Sequence, residues 1–550
     1  MPKCFAVFLT AGRHPILFSL ALASFAAVAE SRPKVILGSG WDLLDATTED
    51  VWRNRAKFAE TGLDGILMSL DRTGADGKRS DGRGILDRVE WQDSDFDRSR
   101  KLVAECVACP GLRESMALAF LIPHKRLDWK DDEGWRIAAN NVSRLARAAK
   151  SCGLKGLVFD HEDYFKQRQF RLNPQDGDFD AVCALARWRG REFFGALFRE
   201  YSDVRLLFYW MFTEWRDVVR SQDPLSVIRT YKGGDVWPAF LNGLLDVVPP
   251  GVRLVDGNES NGYRTDVRKA NFQTGAWESL RAVLPLVAPE NRAKYLNQVS
   301  VGFGIYIDSY VCDESICWAF PPLGGSRAAA CRQNVLAAAA VADDCLWVYG
   351  EAGAWVDWDD KRSAKMRGKT WNSQLPGVAQ TMRLAADRVG AMRDLVAAGQ
   401  LTNLVADVES KDGKLPPWVT TWTKESRPSD KDIFQYDAAE GAARAGCLKL
   451  VGDGTFTVSA NGLTPGEAVY VRLKAKGRAP SVNVAWKRNG SWDWNLGSNL
   501  LAPEGKDPAA WRTVEGVFVV PDTINGLGVT LSGQASEENA IRFDDIEIWR

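Results

Sequence analysis

The chain has 550 residues, a net charge of −1, and hydrophobic side chains at 45% of its positions. This length is too great for one hydrophobic core, so we expect more than one domain. The even charge balance argues against a nucleic-acid partner, because such proteins carry a basic surface. The chain has 22 tryptophans. Such a surplus is common where flat rings stack on sugars, although a tryptophan-rich core gives the same count.

The first 29 residues have the three parts of a cleavable signal peptide. Lys3 and Arg13 supply positive charge, Ile16–Val28 is apolar, and Ala27-Val28-Ala29 offers small residues for cleavage after Ala29. The apolar run is shorter than the ~20 residues that a bilayer span needs. We therefore expect a secreted or periplasmic protein with no membrane span in the mature chain.

Ten cysteines are scattered along the chain. Export permits disulfides, and two groups are close enough in sequence to bridge. Scattered spacing is more typical of small buried apolar side chains. Cys106-x-x-Cys109 lacks a second C-x-x-C, so we do not predict zinc. The two groups are Cys312 with Cys317, and Cys106, Cys109 and Cys152.

Residues 30–407 alternate short apolar runs with amphipathic helical patterns. Eight such runs favour a (β/α)8 TIM barrel over an open doubly wound sheet, and no glycine-rich phosphate motif follows the first run. One long helix, Gly377–Ala398, closes the region. The runs are Lys34–Gly38, Gly65–Leu70, Met116–Ile122, Gly156–Phe159, Val204–Phe212, Val252–Val255, Val299–Ile307 and Cys345–Tyr349.

The pattern changes near residue 408. Residues 408–432 are polar, contain several prolines and have no periodicity, which is typical of a linker. Residues 433–550 show short alternating strands separated by turn signals such as Asn489-Gly490 and Pro465-Gly466. This predicts a C-terminal antiparallel β-sandwich of the jelly-roll kind.

A TIM barrel carries its chemistry on the loops after the carboxyl ends of its strands. Both histidines beyond the signal peptide, and a carboxylate after seven of the eight runs, fall at this predicted rim. The aromatic side chains there can form sugar subsites, although those on the strands themselves more often fill the barrel. The candidate substrate-binding residues are His124, His161, Tyr164, Glu214, Trp215, Glu259, Tyr310 and Trp355.

The fourth run ends in a D-x-E pair. Asp160 and Glu162 point to the same face if the strand continues. Two adjacent carboxylates repel, so one of them tends to hold a proton at neutral pH. A carboxyl group that stays protonated near pH 7 is what protonation of a glycosidic oxygen requires.

The segment Lys155–Glu162 resembles the fourth-strand signature of chitinase-like glycoside hydrolases, which reads D-G-x-D-x-D-x-E. The resemblance implies that Glu162 is the proton donor and that Asp160 orients the acetamido group that acts as nucleophile. Lys155 and Val158 stand where that family has Asp, so the segment supports a sugar-hydrolase barrel more than a chitinase.

Without an acetamido nucleophile, a second carboxylate has to act as nucleophile or base. Its distance from the proton donor distinguishes retention, at ~5–5.5 Å, from inversion, at ~6.5–9.5 Å. No cofactor is expected for this chemistry, and the expected substrate is a polysaccharide or glycan. The candidates for the second carboxylate are Glu351, Asp308 and Asp256.

The C-terminal region resembles CenC-like carbohydrate-binding modules in two segments, Gly462–Gly477 and Ile541–Trp549. In such modules, acidic residues near the first and last strands often hold a structural Ca²⁺, which takes oxygen ligands. Asp544 or Asp545 would do so here, or would only shape the strand. The domain either binds sugar, through tryptophans near Asn489-Gly490, or only packs on the barrel.

Two other functions remain open from the sequence. A barrel that binds carbohydrate without catalysis predicts rim carboxylates that are spread apart. A metal-dependent esterase or deacetylase needs a cluster of histidine and carboxylate ligands, which would have to include His124 and His161.

Overall fold

The structure is a computed structural model that describes residues 34–213, 216–313, 315, 318–358, 369–406, 408, 410, 412–424 and 432–550. The predicted signal peptide, with its cleavage site after Ala29, lies outside these residues, as do Glu214, Trp215 and part of the predicted linker. None of the helices in the described ranges has the length and apolar character needed to cross a membrane.

The first part of the chain alternates strands with helices. Its strands are β1 Val35–Gly38, β2 Gly65–Met68, β3 Arg72–Thr73, β4 Arg79–Ser80, β5 Met116–Phe120, β6 Gly156–Asp160, β7 Arg205–Phe208, β8 Arg253–Asp256, β9 Val299–Val301, β10 Phe303–Tyr306 and β11 Cys345–Tyr349. Its helices are α1 Trp41–Leu44, α2 Thr48–Asn54, α3 Asp97–Cys106, α4 Asp132–Ser151, α5 Phe179–Glu200, α6 Arg216–Val219, α7 Pro224–Thr230, α8 Trp237–Val247, α9 Glu259–Arg264, α10 Phe272–Trp277, α11 Arg292–Gln298, α12 Arg327–Val341, α13 Trp371–Gln374, α14 Val378–Ala386 and α15 Arg388–Ala397.

Nine of these strands form one parallel sheet that closes nearly into a barrel, in the order β10-β11-β1-β2-β5-β6-β7-β8-β9. The two end strands, β9 and β10, are consecutive in the chain and are separated by Gly302 alone. β9 pairs with β8, and β10 pairs with β11. The predicted seventh run, Val299–Ile307, is therefore two strand segments, and the sheet has nine segments where eight strands were predicted.

The barrel strands are apolar because both of their faces are covered. Leu118, Val158 and Leu207 pack together inside the barrel. Their neighbours Leu157 and Phe159 belong to the separate cluster between strands and helices. This alternation gives each strand one side chain for the interior and one for the helical layer.

An aromatic cluster packs α5 and α8 against the sheet. Phe240 of α8 is fully buried. Its ring centroid lies 5.4–6.4 Å from the ring centroids of six aromatic neighbours. The cluster includes Phe170 and Trp237, which also lie near the carboxyl end of β6 through their contacts with His161. The neighbours are Trp129, Trp135, Phe170, Phe193, Phe194 and Trp237.

The helical region that ends the barrel differs from the predicted single helix Gly377–Ala398. α14 ends at Ala386 and α15 begins at Arg388, because Asp387 has extended dihedral angles. The Asp387 side chain accepts a hydrogen bond of 2.9 Å from the Gly390 N–H and so caps α15.

The last part of the chain consists of two antiparallel sheets, as predicted for a β-sandwich, but its first strand, at residues 419–422, lies inside the predicted linker 408–432. Their orders are β12-β15-β21-β17-β18, with β19 also paired to β17, and β13-β14-β22-β16-β20. The jelly-roll connectivity stays a prediction. The strands are β12 Val419–Trp422, β13 Phe434–Asp437, β14 Cys447–Leu450, β15 Thr455–Asn461, β16 Ala468–Lys476, β17 Pro480–Arg488, β18 Ser491–Trp492, β19 Ser498–Leu501, β20 Arg512–Val519, β21 Gly526–Gly533 and β22 Ile541–Trp549.

The sandwich docks on the flank of the barrel. Ala468 and Tyr470 of β16 are buried in the same hydrophobic cluster as the barrel helices. Arg393 of α15 forms ion pairs with Glu515 and Glu504. The two regions therefore share a packed apolar interface rimmed by ion pairs.

The cysteines are free thiols throughout the part of the chain that the structure describes. Cys106, Cys109 and Cys152 do not bridge, which corrects the disulfide considered from their spacing. Burial raises the pKa of the Cys106 thiol to about 12 and that of Cys152 to about 11. Cys317, the predicted partner of Cys312, lies outside the described residues.

We predict that Phe240→Ala lowers the free energy of unfolding of the barrel by about 3–5 kcal/mol, because it leaves a cavity among the surrounding rings. Chemical denaturation followed by tryptophan fluorescence measures the change. Leu225→Ala, at an exposed position, serves as control and should stay within about 0.5 kcal/mol of the parent protein. Equal losses in the two variants would contradict this role for the cluster.

Candidate active site

The D-x-E pair lies at the carboxyl end of β6. Asp160 is the last residue of the strand and is buried. Its Oδ1 accepts a hydrogen bond of 2.8 Å from the Glu162 N–H. The Tyr164 hydroxyl lies 3.1 Å from Asp160 Oδ2 and also forms a hydrogen bond with Glu162 Oε2. Tyr164 therefore bridges the two carboxyl groups.

The contacts of Tyr164 with both carboxyl groups limit how protons can be shared among the three side chains. A phenol hydroxyl has one proton and can donate it to only one of its two carboxyl neighbours. The other contact is a hydrogen bond only if a carboxyl group carries a proton. Burial, followed by the neighbouring charge of Glu162, raises the pKa of Asp160 to about 8. Asp160 is therefore protonated at neutral pH, beside a half-buried Glu162.

Two of the predicted second carboxylates are buried and engaged by the protein itself. Asp256 is fully buried, and its Oδ1 accepts hydrogen bonds from the Thr213 hydroxyl at 2.8 Å and the Asn258 N–H at 3.1 Å. Burial raises its pKa to about 6. Asp308 accepts bonds of 2.8 Å from the N–H groups of Glu351 and Ala352. Asp308 thus holds the loop after β11.

The remaining candidate, Glu351, accepts a hydrogen bond of 3.1 Å from the Tyr349 hydroxyl. Tyr349 belongs to a stack of tyrosines, with ring centroids 6.0 Å from Tyr306 and 6.3 Å from Tyr263. Glu351 also raises the pKa of Tyr306, after burial and Asp308. Glu351 therefore lies on the β10–β11 side of the barrel mouth, which is the opening at the carboxyl ends of the barrel strands.

Glu259, predicted only as a substrate-binding residue, shares its surroundings with the D-x-E pair. Its N–H donates to the Tyr209 carbonyl at 3.1 Å. Burial, followed by Asp160, raises the pKa of Tyr209, and Glu259 and Glu162 add to the rise. Burial, followed by Glu259, also raises the pKa of Tyr263, to which Glu162 contributes. Glu259 and Glu162 therefore both lie close enough to Tyr209 and Tyr263 for their charges to act on these two side chains.

The two histidines occupy different places. His161 is buried and stacks on Trp237, with ring centroids 4.1 Å apart. His124 is exposed, with its Nδ1 2.8 Å from Asp87 Oδ2 and its ring stacked on Phe165. The two rings thus lie in separate environments.

Two predicted substrate-binding aromatics lie behind the mouth. Tyr310 is buried, and its hydroxyl accepts a bond of 2.8 Å from Asn334. Trp355 is also buried, and its indole N–H donates to the Ser39 carbonyl at 2.9 Å. The structure does not bring these two side chains to the D-x-E pair. Glu214 and Trp215 lie outside the described residues.

Sequence reasoning missed the aromatic wall beside His161. Trp237 belongs to α8, and Phe170 lies in the long loop before α5. The other candidates were identified because they directly follow a predicted barrel strand. Trp237 and Phe170 do not, so this criterion does not select them. No pattern in the sequence marked these two residues.

No protein family matches the chain, and no curated protein matches it. Solved structures similar to it include the CBM22-1 and GH10 modules of xylanase 10B from Clostridium thermocellum, complexed with xylohexaose. They match at 12% identity over 27% of this chain and 28% of that one, with a TM-score of 0.21. The enzymatically active domain of tailspike protein 4 of bacteriophage CBA120 matches at 12% identity over 26% of this chain and 21% of that one, with a TM-score of 0.20.

A third similar structure is the module TmCBM61 in complex with β-1,4-galactotriose, at 12% identity over 27% of this chain and 99% of that one, with a TM-score of 0.19. The chain thus spans about a quarter of the xylanase and tailspike chains that it matches. Structural similarity at these scores does not indicate an activity for this protein.

Within the described ranges, no group of three or more His, Cys, Asp or Glu side chains is arranged to hold a metal ion. Asp544, a predicted calcium ligand, is buried and accepts a bond of 2.6 Å from the Ala442 N–H. Asp545 has a φ of 47°, next to the register shift between β16 and β22. These residues shape the last strand, and a Ca²⁺ there stays a prediction.

We predict that Asp160→Asn gains stability relative to the parent as pH rises. The folded protein keeps the Asp160 proton up to about pH 8, whereas an unfolded chain loses it near ~3.9. The parent's free energy of unfolding therefore falls through this window, and the neutral amide escapes that loss. Between pH 5 and pH 8, the Tm difference, variant minus parent, should grow by about 2 °C or more.

Differential scanning calorimetry across that range tests the prediction. Asp45→Asn, at an exposed position in the same domain, is the control and should give a constant Tm difference. A constant difference for Asp160→Asn as well would mean that the Asp160 carboxyl is ionised in the folded protein.

Proposed function

We propose that this protein is a glycoside hydrolase that acts on a polysaccharide or glycan, with Glu162 as the proton donor. The observation that carries the proposal is the contact of the Tyr164 hydroxyl with both Asp160 and Glu162 at the carboxyl end of a barrel strand, beside an Asp160 whose pKa is raised by burial and by the charge of Glu162. A carboxyl pair that retains a proton at neutral pH can protonate a leaving glycosidic oxygen. No cofactor is needed for this step, and the N-terminal sequence supports action outside the cytoplasm.

Asp160 is a positioning residue in this proposal. Its protonated carboxyl group donates toward Tyr164 and accepts from the Glu162 N–H. These contacts hold Glu162 next to the mouth of the barrel and keep the Asp160 proton within one hydroxyl of it. As Glu162 protonates the glycosidic oxygen, the Tyr164 hydroxyl passes its proton to Glu162 and takes the Asp160 proton in its place.

Glu259 is the second carboxylate that the surroundings support best. Its backbone N–H is bonded to the Tyr209 carbonyl, and its charge raises the pKa of Tyr209 and Tyr263, as the charge of Glu162 does. Asp308 instead accepts backbone bonds with both of its oxygens. Asp256 accepts hydroxyl and backbone bonds with Oδ1, while its Oδ2 is buried without a partner among the described residues. Glu351 stays an alternative, since Tyr349, which orients it, stacks on Tyr263.

The other functions have less support. A metal-dependent esterase would need His124 and His161 at one ion, but His124 pairs with Asp87 and His161 stacks on Trp237. A barrel that only binds carbohydrate does not require a pair of carboxyl groups that shares a proton. Loss of hydrolysis on removal of one carboxyl oxygen would distinguish catalysis from binding.

We predict that Glu162→Gln lowers kcat by about 10²–10⁴-fold on any polysaccharide that the parent protein hydrolyses, because it removes the transferable proton. Release of reducing ends from a panel of polysaccharides measures the rate. Glu60→Gln, an exposed residue at the end of a helical turn, is the matched control and should keep parental activity.

The same assay discriminates the second carboxylate. Glu259→Gln should lose activity as severely as Glu162→Gln, whereas Glu351→Gln should mainly raise KM. The reverse order would assign Glu351 the second role. A fully active Glu162→Gln variant would refute the proton donor.

We also propose that the β-sandwich binds glycan. Trp492 and Trp494 stack on each other, with ring centroids 5.2 Å apart, and Lys487 lies over the Trp492 ring. Trp494 is 66% exposed, which is unusual for so large an apolar side chain. The exposed indole of Trp494, held in place by the half-buried Trp492, can match the apolar face of a pyranose ring.

We predict that Trp494→Ala weakens binding of the protein to insoluble polysaccharide about fivefold or more, because it removes the exposed half of the indole pair. Pull-down isotherms measure the affinity. Trp422→Ala is the matched control, since Trp422 is also exposed but lies on β12 at the other edge of the same sheet. Equal effects of both substitutions would exclude a local platform.

A further inference from the structure

A cavity of about 160 Å³ opens beside Glu162. Aromatic side chains form much of its wall, among them His161, Phe170, Trp210 and Trp237. All four are buried and pack against one another, with Trp210 and His161 centroids 5.2 Å apart. The cavity is thus rigid, is close in size to one sugar ring, and lies next to the proposed proton donor.

Most polar groups in the cavity wall are already engaged. Asp163 accepts hydrogen bonds from the N–H groups of Gln167 and Arg168 at 2.8 and 2.7 Å. Asp235 pairs with Arg171 and accepts a bond of 2.9 Å from the Trp237 N–H. These carboxylates organise the loop and leave little capacity for a ligand.

Arg168 differs from these groups. Its guanidinium makes one long bond of 3.4 Å to the Leu172 carbonyl and no ion pair with any residue in the described ranges. Its φ is 56°, in the left-handed region that a non-glycine residue adopts at a cost. Strained residues of this kind cluster at ligand-binding loops. The loop therefore brings an available cation to the cavity.

Trp210 adds an apolar face to the cavity wall. Its side chain is 7% exposed, and its ring packs on that of His161. Its indole N–H is buried and unpaired among the described residues, but so are those of Trp91, Trp129 and Trp371, so this donor does not by itself indicate a ligand.

We propose that this cavity is a subsite for a single sugar ring that carries a carboxylate or sulfate group, which Arg168 binds. The aromatic wall packs on the ring, and the guanidinium fork donates to the anionic oxygens, as its planar geometry favours. The proposal rests on the proposed function, since it places this ring beside the bond that Glu162 cleaves.

Binding, measured without turnover, tests the subsite. The Glu162→Gln protein is titrated calorimetrically with methyl glycosides of gluco, galacto and manno configuration. Each is offered as the neutral hexoside, the uronide and the 6-sulfate. We expect the protein to bind at least one anionic member about tenfold or more tightly than its neutral counterpart, because a charge-assisted hydrogen bond is about twice as strong as a neutral one.

Adding Arg168→Gln to this protein should remove the preference, and adding Lys166→Gln should keep it. Lys166 is the matched control because it carries the same charge and the same φ of 56° in the same loop but does not line the cavity. The uronide and sulfate arms identify which anion is recognised.

Equal affinities for neutral and anionic sugars, no saturable binding of any anionic sugar, or an equal loss in both double variants would overturn the subsite. The subsite and the proposed function fail separately. Arg168-dependent binding in a protein whose parent form hydrolyses nothing would refute only the function, whereas Glu162-dependent hydrolysis without an anionic preference would refute only the subsite.

Discussion

The site depends on the near closure of one parallel sheet. Parallel strands all end at the same face, so closure gathers the residues that follow β6, β8 and β11 around one mouth. Gly302 makes this closure possible, since it separates the segment that pairs with β8 from the segment that pairs with β11. An ideal Cβ added there would lie 3.0 Å from Val255 Cγ1 and 3.1 Å from the Cys345 carbonyl oxygen.

The mouth combines carboxyl groups of two kinds, set apart by what surrounds them. Asp256 and Asp308 are buried against backbone donors, and those bonds are used to shape loops. Asp160 is equally buried, but its neighbours are a tyrosine and another carboxyl group. Burial therefore raises its pKa, and the group keeps its proton at neutral pH. The chemistry of each carboxyl group thus follows from the donors that the fold places around it.

Features that depend on periodicity and local spacing could be predicted from the sequence. The alternation of apolar runs and helices predicted a barrel. The D-x-E argument assumed that the strand continues to Glu162, whereas β6 ends at Asp160, and the two carboxyl groups meet through Tyr164 instead. The aromatic wall at Trp237, the pairing of Glu259 with Tyr209 and the break at Asp387 depend on contacts between distant segments. Such contacts leave no local pattern.

The position of the sandwich bears on how the two proposed sugar-binding surfaces would cooperate. A groove of about 1020 Å³ lies between the regions, and it is lined by Asp64 and Glu114, which precede β2 and β5, together with Glu467 and Arg550 of the sandwich. Residues before parallel strands lie at the face away from their carboxyl ends. The sandwich therefore docks on the flank and amino-terminal side of the barrel, away from the carboxyl ends of its strands. Because Tyr470 is buried in the barrel's own hydrophobic cluster, a glycan held at Trp492 and Trp494 would be held at a fixed distance from Glu162, and the sandwich would select which stretch of a long chain reaches the mouth.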